Sequence, residues 1–139
     1  MKGNQKVIDA FNTLLANELA AIDQYFIHSR MYDDWGLNKL YERLNHEMEE
    51  EKDHADWLIK RILFLEGVPN MTKRRDLLIG DDVKSMMQND LTLELEVVEC
   101  VKDVIAICEQ QQDYQSREIL EKLLFDTEED HVYWLEQQL

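Results

Sequence analysis

The sequence has few residues that interrupt helices and few that could form covalent cross-links. Its 139 residues include one proline and four glycines, a scarcity that favours long helices over a fold rich in turns. The only cysteines, Cys100 and Cys108, lie eight residues apart on one predicted helix, too far for a disulfide. Because unpaired thiols are typical of a reducing compartment, we expect a cytoplasmic protein.

Basic residues and long apolar runs are also scarce. The chain has 15 Lys and Arg against 30 Asp and Glu, a net charge of −15. This imbalance argues against nucleic acid or an anionic membrane as a partner and is compatible with attracting cations. No apolar run approaches the ~20 residues of a membrane span, and the first residues lack the apolar core of a signal peptide. With 45% apolar residues, the chain suits a single domain over residues 1–139.

Apolar residues recur with a period of 3.6 along nearly the whole chain, which predicts an all-α protein. A connection of about 17 residues separates helices 2 and 3, whereas the other two connections are short, and Asp81 or Asp82 can cap helix 3. This order of connections is typical of a four-helix bundle with one long crossover between helices 2 and 3. The predicted helices span residues 5–34, 38–65, 83–112 and 115–138.

Each predicted helix carries a carboxylate inside its apolar stripe, where an unpaired charge is costly to bury. Each of these glutamates lies within about four residues of the midpoint of its helix, hence within roughly 6 Å of it along the axis. Side chains near the midpoints of their helices lie at the same height in a bundle, whether a helix runs up or down. The inward glutamates are Glu18, Glu51, Glu94 and Glu128.

Two of the inward glutamates are followed three residues later by a histidine on the same helix face, Glu51 by His54 and Glu128 by His131. A single Glu-x-x-His is a weak signal, since chance gives roughly 0.5 such pairs in this composition. Four carboxylates and two imidazoles at one depth, however, match the ligand set of a di-metal carboxylate site. Mixed oxygen and nitrogen donors suit iron or manganese. No inward Lys or Arg is in register to form buried ion pairs instead.

Several stretches of the chain closely resemble bacterioferritin: "NELAAIDQYFIHSRMYDDWGLNKLYERLNHE", "HADWLIKRILFLEGVPN", "LELE" and "DHVYWLEQQL". The resemblance covers essentially the whole chain and implies the ferritin-like four-helix bundle. It also implies a di-iron centre in which two carboxylates are terminal ligands, two bridge the irons and two histidines complete the site. By this resemblance, the terminal ligands would be Glu18 and Glu94, the bridging carboxylates would be Glu51 and Glu128, and the histidines would be His54 and His131.

The resemblance implies iron storage and detoxification by a ferroxidase that oxidises Fe(II) to Fe(III) with O2 or H2O2. The family deposits the mineral in a 24-subunit cage built from two-fold dimers, so we expect a homo- or hetero-oligomer, and a ferredoxin-type reductant for iron release. Tyr25 matches a tyrosine that donates an electron to the site. His46 and Glu50 match cavity-facing positions of an inner-surface iron site.

Two features depart from the bacterioferritin pattern. Bacterioferritins bind haem b through a methionine, and the matching position is Lys52, whose protonated amine is no ligand for haem iron. The chain therefore looks closest to haem-less bacterioferritin-type subunits. Family members also continue past "WLEQQL" into a short fifth helix, which we expect to be absent from this chain because it stops at Leu139.

Other functions stay open at this point. A rubrerythrin-like di-iron peroxidase that forms no cage is the main alternative, although it usually needs a partner domain with paired Cys-x-x-Cys. A di-iron enzyme for an organic substrate and a non-catalytic cage subunit are further rivals. Among single residues, His28 is expected at a surface or interface, and Glu47 is expected in solvent or lining the way to the iron site. Trp57 and Trp134 are expected to be packing anchors rather than electron relays.

Overall fold

The computed structural model describes residues 1–139 and contains helices but no strands. Its first three rods are α1 (Gln5–Asp34), α2 (Asn38–Phe64) and α3 (Val83–Gln110). The fourth rod consists of α4 (Tyr114–Asp126), a π-helical segment (Thr127–Val132) and α5 (Tyr133–Gln138), which follow one another without a break. The predicted four-helix bundle is confirmed, with every rod end within two residues of its predicted position. None of the helices combines the length and the apolar character that crossing a membrane requires.

Local sequence explains where the rods begin and end. The side chain of Asn4 accepts a bond from the backbone N–H of Lys6 at the start of α1. Asp82 forms a reciprocal capping box with Ser85, which confirms the predicted cap of α3. Gly36 turns the chain between α1 and α2 with φ of 74°, a left-handed conformation that costs glycine little.

The long connection between α2 and α3 runs along the outside of α1. Its residues bond in order to successive turns of that helix. The bonds join Asn70 N–H to Asn12 Oδ1 (2.8 Å), Arg74 Nε to Asp23 Oδ2 (3.1 Å), Leu78 N–H to Gln24 Oε1 (2.9 Å) and Gly80 N–H to His28 Nε2 (3.3 Å). The crossover therefore reaches α3 from the opposite end of the bundle, as predicted.

The apolar interior is divided into two clusters. A large cluster of 17 buried residues includes Leu19, Ala55 and Val97 at its inner edge. A smaller one of 7 buried residues includes Ala21, Met48 and Leu93. On α2 and α3 the inward glutamate lies between members of the two clusters, and on α1 Glu18 lies within one turn of their border. The bundle thus contains a polar layer at mid-height.

Candidate metal centre

Buried oxygen and nitrogen donors from four rods meet in this polar layer. One group contains Glu18 of α1 with Glu51 and His54 of α2, and its ligand atoms all lie within 4.8 Å of one another. A second group, within the same limit, contains Glu51 again with Glu94 of α3 and His131 of the π-helical segment. The five side chains are at most 1% exposed. Because Glu51 belongs to both groups, its two oxygens can bridge a pair of metal ions.

The two imidazoles hold the carboxylates of each group together. Nδ1 of His54 lies 3.0 Å from Glu18 Oε2 and 3.5 Å from Glu51 Oε2. Nδ1 of His131 lies 2.8 Å from Glu51 Oε1 and 3.5 Å from Glu94 Oε1. The imidazole rings lie side by side, with centroids 5.8 Å apart and planes at 22°. Both Nδ1 atoms therefore already face the carboxylates with which they would share an ion.

Several donors in the two groups are buried without a hydrogen bond. They are Glu18 Oε1, both oxygens of Glu51, Glu94 Oε2 and His131 Nδ1. Even the 2.8 Å approach of Glu51 Oε1 to His131 lacks hydrogen-bond geometry. Each buried polar atom left unpaired costs about 1–3 kcal/mol. A cluster of such atoms, all of them metal-ligand types, fits a site built for divalent cations.

Protonation of the centre follows from its burial. Burial and the charge of Glu51 raise the pKa of Glu18 to about 8, although the bond to His54 opposes the shift. Burial alone would lower the pKa of His54, but its bond to Glu18 and the nearby carboxylate of Glu51 raise it to about 11. At neutral pH the metal-free centre therefore holds protons that it must release when it takes up metal.

Tyr25 extends the centre towards the smaller apolar cluster. Its hydroxyl donates a very short hydrogen bond to Glu94 Oε1. Burial and the nearby charges of Glu94 and Asp90 raise the pKa of Tyr25 well above its usual 10. Tyr25 is therefore a neutral phenol that touches a ligand of the second group.

A third, partly exposed group of donors lies beyond His131. It contains Glu47, Glu50, Asp130 and His131. Nε2 of His131 lies 2.6 Å from Glu47 and 2.9 Å from Glu50, whereas its Nδ1 faces the buried centre. His46 pairs with Glu50, so the two residues expected to act together do lie together. The expectation that Glu47 is solvated is wrong: its side chain is 3% exposed because it packs inward against His131 and Arg43.

The structure does not bring Glu128 to the centre. Its side chain is exposed, and neither buried group includes it. Residues three apart share a face in an α-helix, but Thr127–Val132 is π-helical, and the wider turn separates Glu128 from His131 around the axis. The predicted inward orientation of Glu128 is therefore wrong in this structure, and its role as a ligand stays a prediction. Asp126, which the sequence analysis did not single out, instead lies 3.2 Å from Nε2 of His54.

His28 is buried, contrary to its expected surface position. Nδ1 of His28 lies 2.8 Å from Asp90 Oδ1, which also accepts a 2.9 Å bond from Nε2 of Gln24. Nε2 of His28 accepts from the N–H of Gly80, so the imidazole is neutral and donates from Nδ1. The burial of this network could not be predicted from the sequence, because the residues that cover it belong to the non-helical crossover. Asp90 could have been noticed, since it lies four residues before Glu94 on the same face.

Three other residues that the sequence singled out lie nearer the surface. Lys52 is 52% exposed and pairs with Glu49 at 3.3 Å. Trp57 packs on His54 with ring centroids 5.1 Å apart. Trp134 lies under the guanidinium of Arg43, 4.7 Å from its ring centroid. Both tryptophans thus have packing partners. The expectation that haem b does not bind, which depends on Lys52, stays a prediction.

Comparison with known proteins agrees with this architecture. A sequence model of the ferritin-like domain matches residues 8–139. The chain is 60% identical to a bacterial ferritin of Pseudomonas aeruginosa, and the match covers all of this chain and 90% of that protein. It is 56% identical to a bacterial ferritin of Synechocystis sp., over all of this chain and 89% of that protein. A bacterioferritin of Brucella melitensis is 42% identical over the whole chain and 86% of its own length. By the extent of these matches, the chain belongs to the ferritin family.

Proposed function

We propose that this chain is an iron-storage subunit that oxidises Fe(II) to Fe(III) at the two buried groups joined by Glu51. The observation that carries the proposal is the shared carboxylate: both of its oxygens are buried, unpaired by hydrogen bonds, and close to further donors on opposite sides. Such a layout suits two divalent ions held as a pair. Fe(II) is the substrate, and O2 or H2O2 is the oxidant.

The residues divide into two half-sites around Glu51. Glu18 and His54 would hold one iron, and Glu94 and His131 the other. Anionic oxygen ligands stabilise the higher charge of Fe(III), so the carboxylates lower the reduction potential and favour loss of an electron from each ion. Supporting this division, each half-site has one buried imidazole within 3.5 Å of its glutamates.

Tyr25 would supply one further electron to the reaction. A phenol that gives up an electron must also lose its proton, and the carboxylate of Glu94 already accepts the hydrogen bond from that hydroxyl. Electron and proton can therefore leave together, the electron passing to the O2 or H2O2 oxidant and the proton moving to Oε1 of Glu94. The raised pKa of Tyr25 keeps the proton on the phenol until that point.

Iron would travel between the surface and the centre through the third group. Exposure of its carboxylate side chains rises from 3% for Glu47 to 25% for Glu50 and 44% for Asp130, and His46, which pairs with Glu50 from outside the group, is 62% exposed. His131 presents Nε2 to this group and Nδ1 to the centre, so one ring connects the two. His46 and Glu50 would then lie at the end of the path that is farthest from the centre, where they would form the iron site on the cavity-facing surface.

Storage requires an assembly, and we propose the cage of 24 chains built from two-fold dimers. A ferredoxin-type reductant would release the iron. The protein would work in the cytoplasm, which agrees with its two free thiols. Burial raises the pKa of both thiols to about 11, so they stay protonated and unreactive.

Iron loading of the purified protein tests the storage function directly. We expect a large particle that retains hundreds of Fe(III) ions, as measured by particle mass and iron content per chain after aerobic addition of Fe(II). A small oligomer that consumes H2O2 and retains no iron would contradict storage. That second result would support the rubrerythrin-like peroxidase, whose centre uses similar ligands.

Replacement of Glu128 by glutamine tests the one proposed ligand that lies outside the centre. If the segment turns inward when iron binds, Glu128→Gln should slow initial Fe(II) oxidation about tenfold, the loss typical of weakened metal coordination. Glu129→Gln is the matched control, because Glu129 is the next residue and is equally exposed. Equal rates in the two variants would remove Glu128 from the ligand set.

A further inference from the structure

A groove between α2 and α4 combines aromatic walls with a basic rim. Its volume is about 380 Å³, within the range of small-molecule sites. The ring of Trp57 forms one wall and the ring of Phe64 another. The six lining residues are Trp57, Lys60, Arg61, Phe64, Ile119 and Lys122.

The charge of this groove is opposite to that of the protein. Three of its six lining residues are basic and none is acidic, although acidic residues outnumber basic ones 30 to 15 in the chain. Lys122 forms no salt bridge, and its Nζ lies 4.4 Å from the centroid of the Trp57 ring. Lys60 is 75% exposed and pairs only with its helix neighbour Asp56, a weak contact at the surface. Two ammonium groups are therefore available at the rim.

We propose that this groove binds a small, flat aromatic carboxylate. The ammonium of Lys122 already lies over the ring of Trp57, and the guanidinium of Arg61 lies over the ring of Phe64. The ligand ring would take the place of Lys122 against Trp57, beside Phe64, and the carboxylate would pair with the displaced ammonium of Lys122 and with Lys60. Arg61 is committed elsewhere, since its guanidinium bonds to Ser116 and reaches Asp113. Arg61 therefore lines the groove without pairing with the ligand, and the two lysines would bind the carboxylate.

The surroundings of the groove limit the ligand to a single negative charge. An adjoining hollow of about 320 Å³ shares Arg61, Ile119 and Lys122 and adds Gln115 and Glu118. The carboxylate of Glu118 would repel a second anionic group that extended in that direction. A dicarboxylate or a polyphosphate is therefore a poor fit, whereas one ring with one carboxylate matches both the size and the charge.

The groove adjoins the metal centre but does not overlap it. The ring of Trp57 separates them, with the groove on one side and the imidazole of His54 on the other. No metal ligand lines the groove, so binding does not require iron. A ligand against Trp57 should, however, change the fluorescence of that tryptophan.

Titration of the metal-free protein with 1-naphthoate tests the site. We expect saturable binding of one molecule per chain by calorimetry, with a change in tryptophan fluorescence that Trp35→Phe retains. Lys60→Gln combined with Lys122→Gln should weaken binding about tenfold or more, because two charged contacts are lost. Lys84→Gln combined with Lys102→Gln changes the net charge equally at exposed positions on α3 and should have no effect.

The neutral analogue 1-naphthalenemethanol separates charge recognition from simple hydrophobic contact. It should bind about tenfold more weakly than 1-naphthoate, since it has no carboxylate for the lysines. Absence of saturable naphthoate binding would overturn the proposal. Equal binding of the neutral analogue, or an equal loss in the α3 lysine pair, would overturn it as well.

Discussion

Replacing Glu51 by glutamine should lower the initial rate of Fe(II) oxidation by at least about 100-fold. Weakening a group that merely supports a metal ligand costs 10–100-fold, and Glu51 serves both half-sites directly. Glutamine keeps the size of the side chain but removes the charge that would hold two cations. Stopped-flow absorbance of Fe(III) after mixing the protein with Fe(II) and O2 measures the rate.

The same substitution should not unfold the protein. A stability measurement therefore distinguishes loss of the metal site from loss of the folded structure. Glu51 is fully buried beside Glu18, so removing its charge relieves repulsion there, while the imidazoles of His54 and His131 lose a charged neighbour. Because these effects oppose each other, the melting temperature of the metal-free variant should stay within about 5 °C of that of the parent chain. Glu49→Gln is the matched control, since Glu49 lies on the same helix at 57% exposure. Oxidation by Glu51→Gln at a rate near that of the Glu49 variant would refute the shared site.

Replacing Asp90 by alanine should destabilise the fold by about 2–4 kcal/mol. The change leaves Nε2 of Gln24 and Nδ1 of His28 buried without an acceptor, at about 1–3 kcal/mol each. For a domain of this size we expect the melting temperature to fall by roughly 6–12 °C. Thermal unfolding followed by circular dichroism measures the effect.

Hydrogen exchange can locate the damage caused by Asp90→Ala. Gln24 and His28 accept the N–H bonds of Leu78 and Gly80, so loss of Asp90 should loosen the crossover there. Exchange at residues 78–80 should accelerate, whereas exchange in the centre of α2 should change less. Asp103→Ala, an exposed acid on the same helix, should alter neither stability nor exchange. Unchanged protection at residues 78–80 would show that the network does not hold the crossover.

Much of the candidate site could be predicted because helical periodicity fixes which face a side chain occupies. Glu18, Glu51 and Glu94 each lie inside an apolar stripe, and an α-helix converts that spacing into a direction. His54 follows from the same rule. Their common depth follows from their central positions in rods of similar length, so the sequence alone indicated where the polar layer lies.

The remaining features depend on contacts that periodicity does not encode. Glu128 was misplaced because a π-helical turn changes the angle per residue, and nothing in the local sequence marks that turn. His28 was misplaced because its cover is a non-helical crossover whose path only the tertiary fold determines. Glu47 was misplaced because a run of acidic residues hides which member faces Arg43 and the fourth rod.

The polar layer that separates the two apolar clusters also bears on how stable variants of this bundle should be judged. Filling the layer between them with leucine and methionine would join the clusters and remove several charges, and such replacements often stabilise proteins. The resulting bundle would resist heat better and could bind no cation at its middle. Thermal stability alone would therefore be a poor criterion for choosing improved variants of this protein.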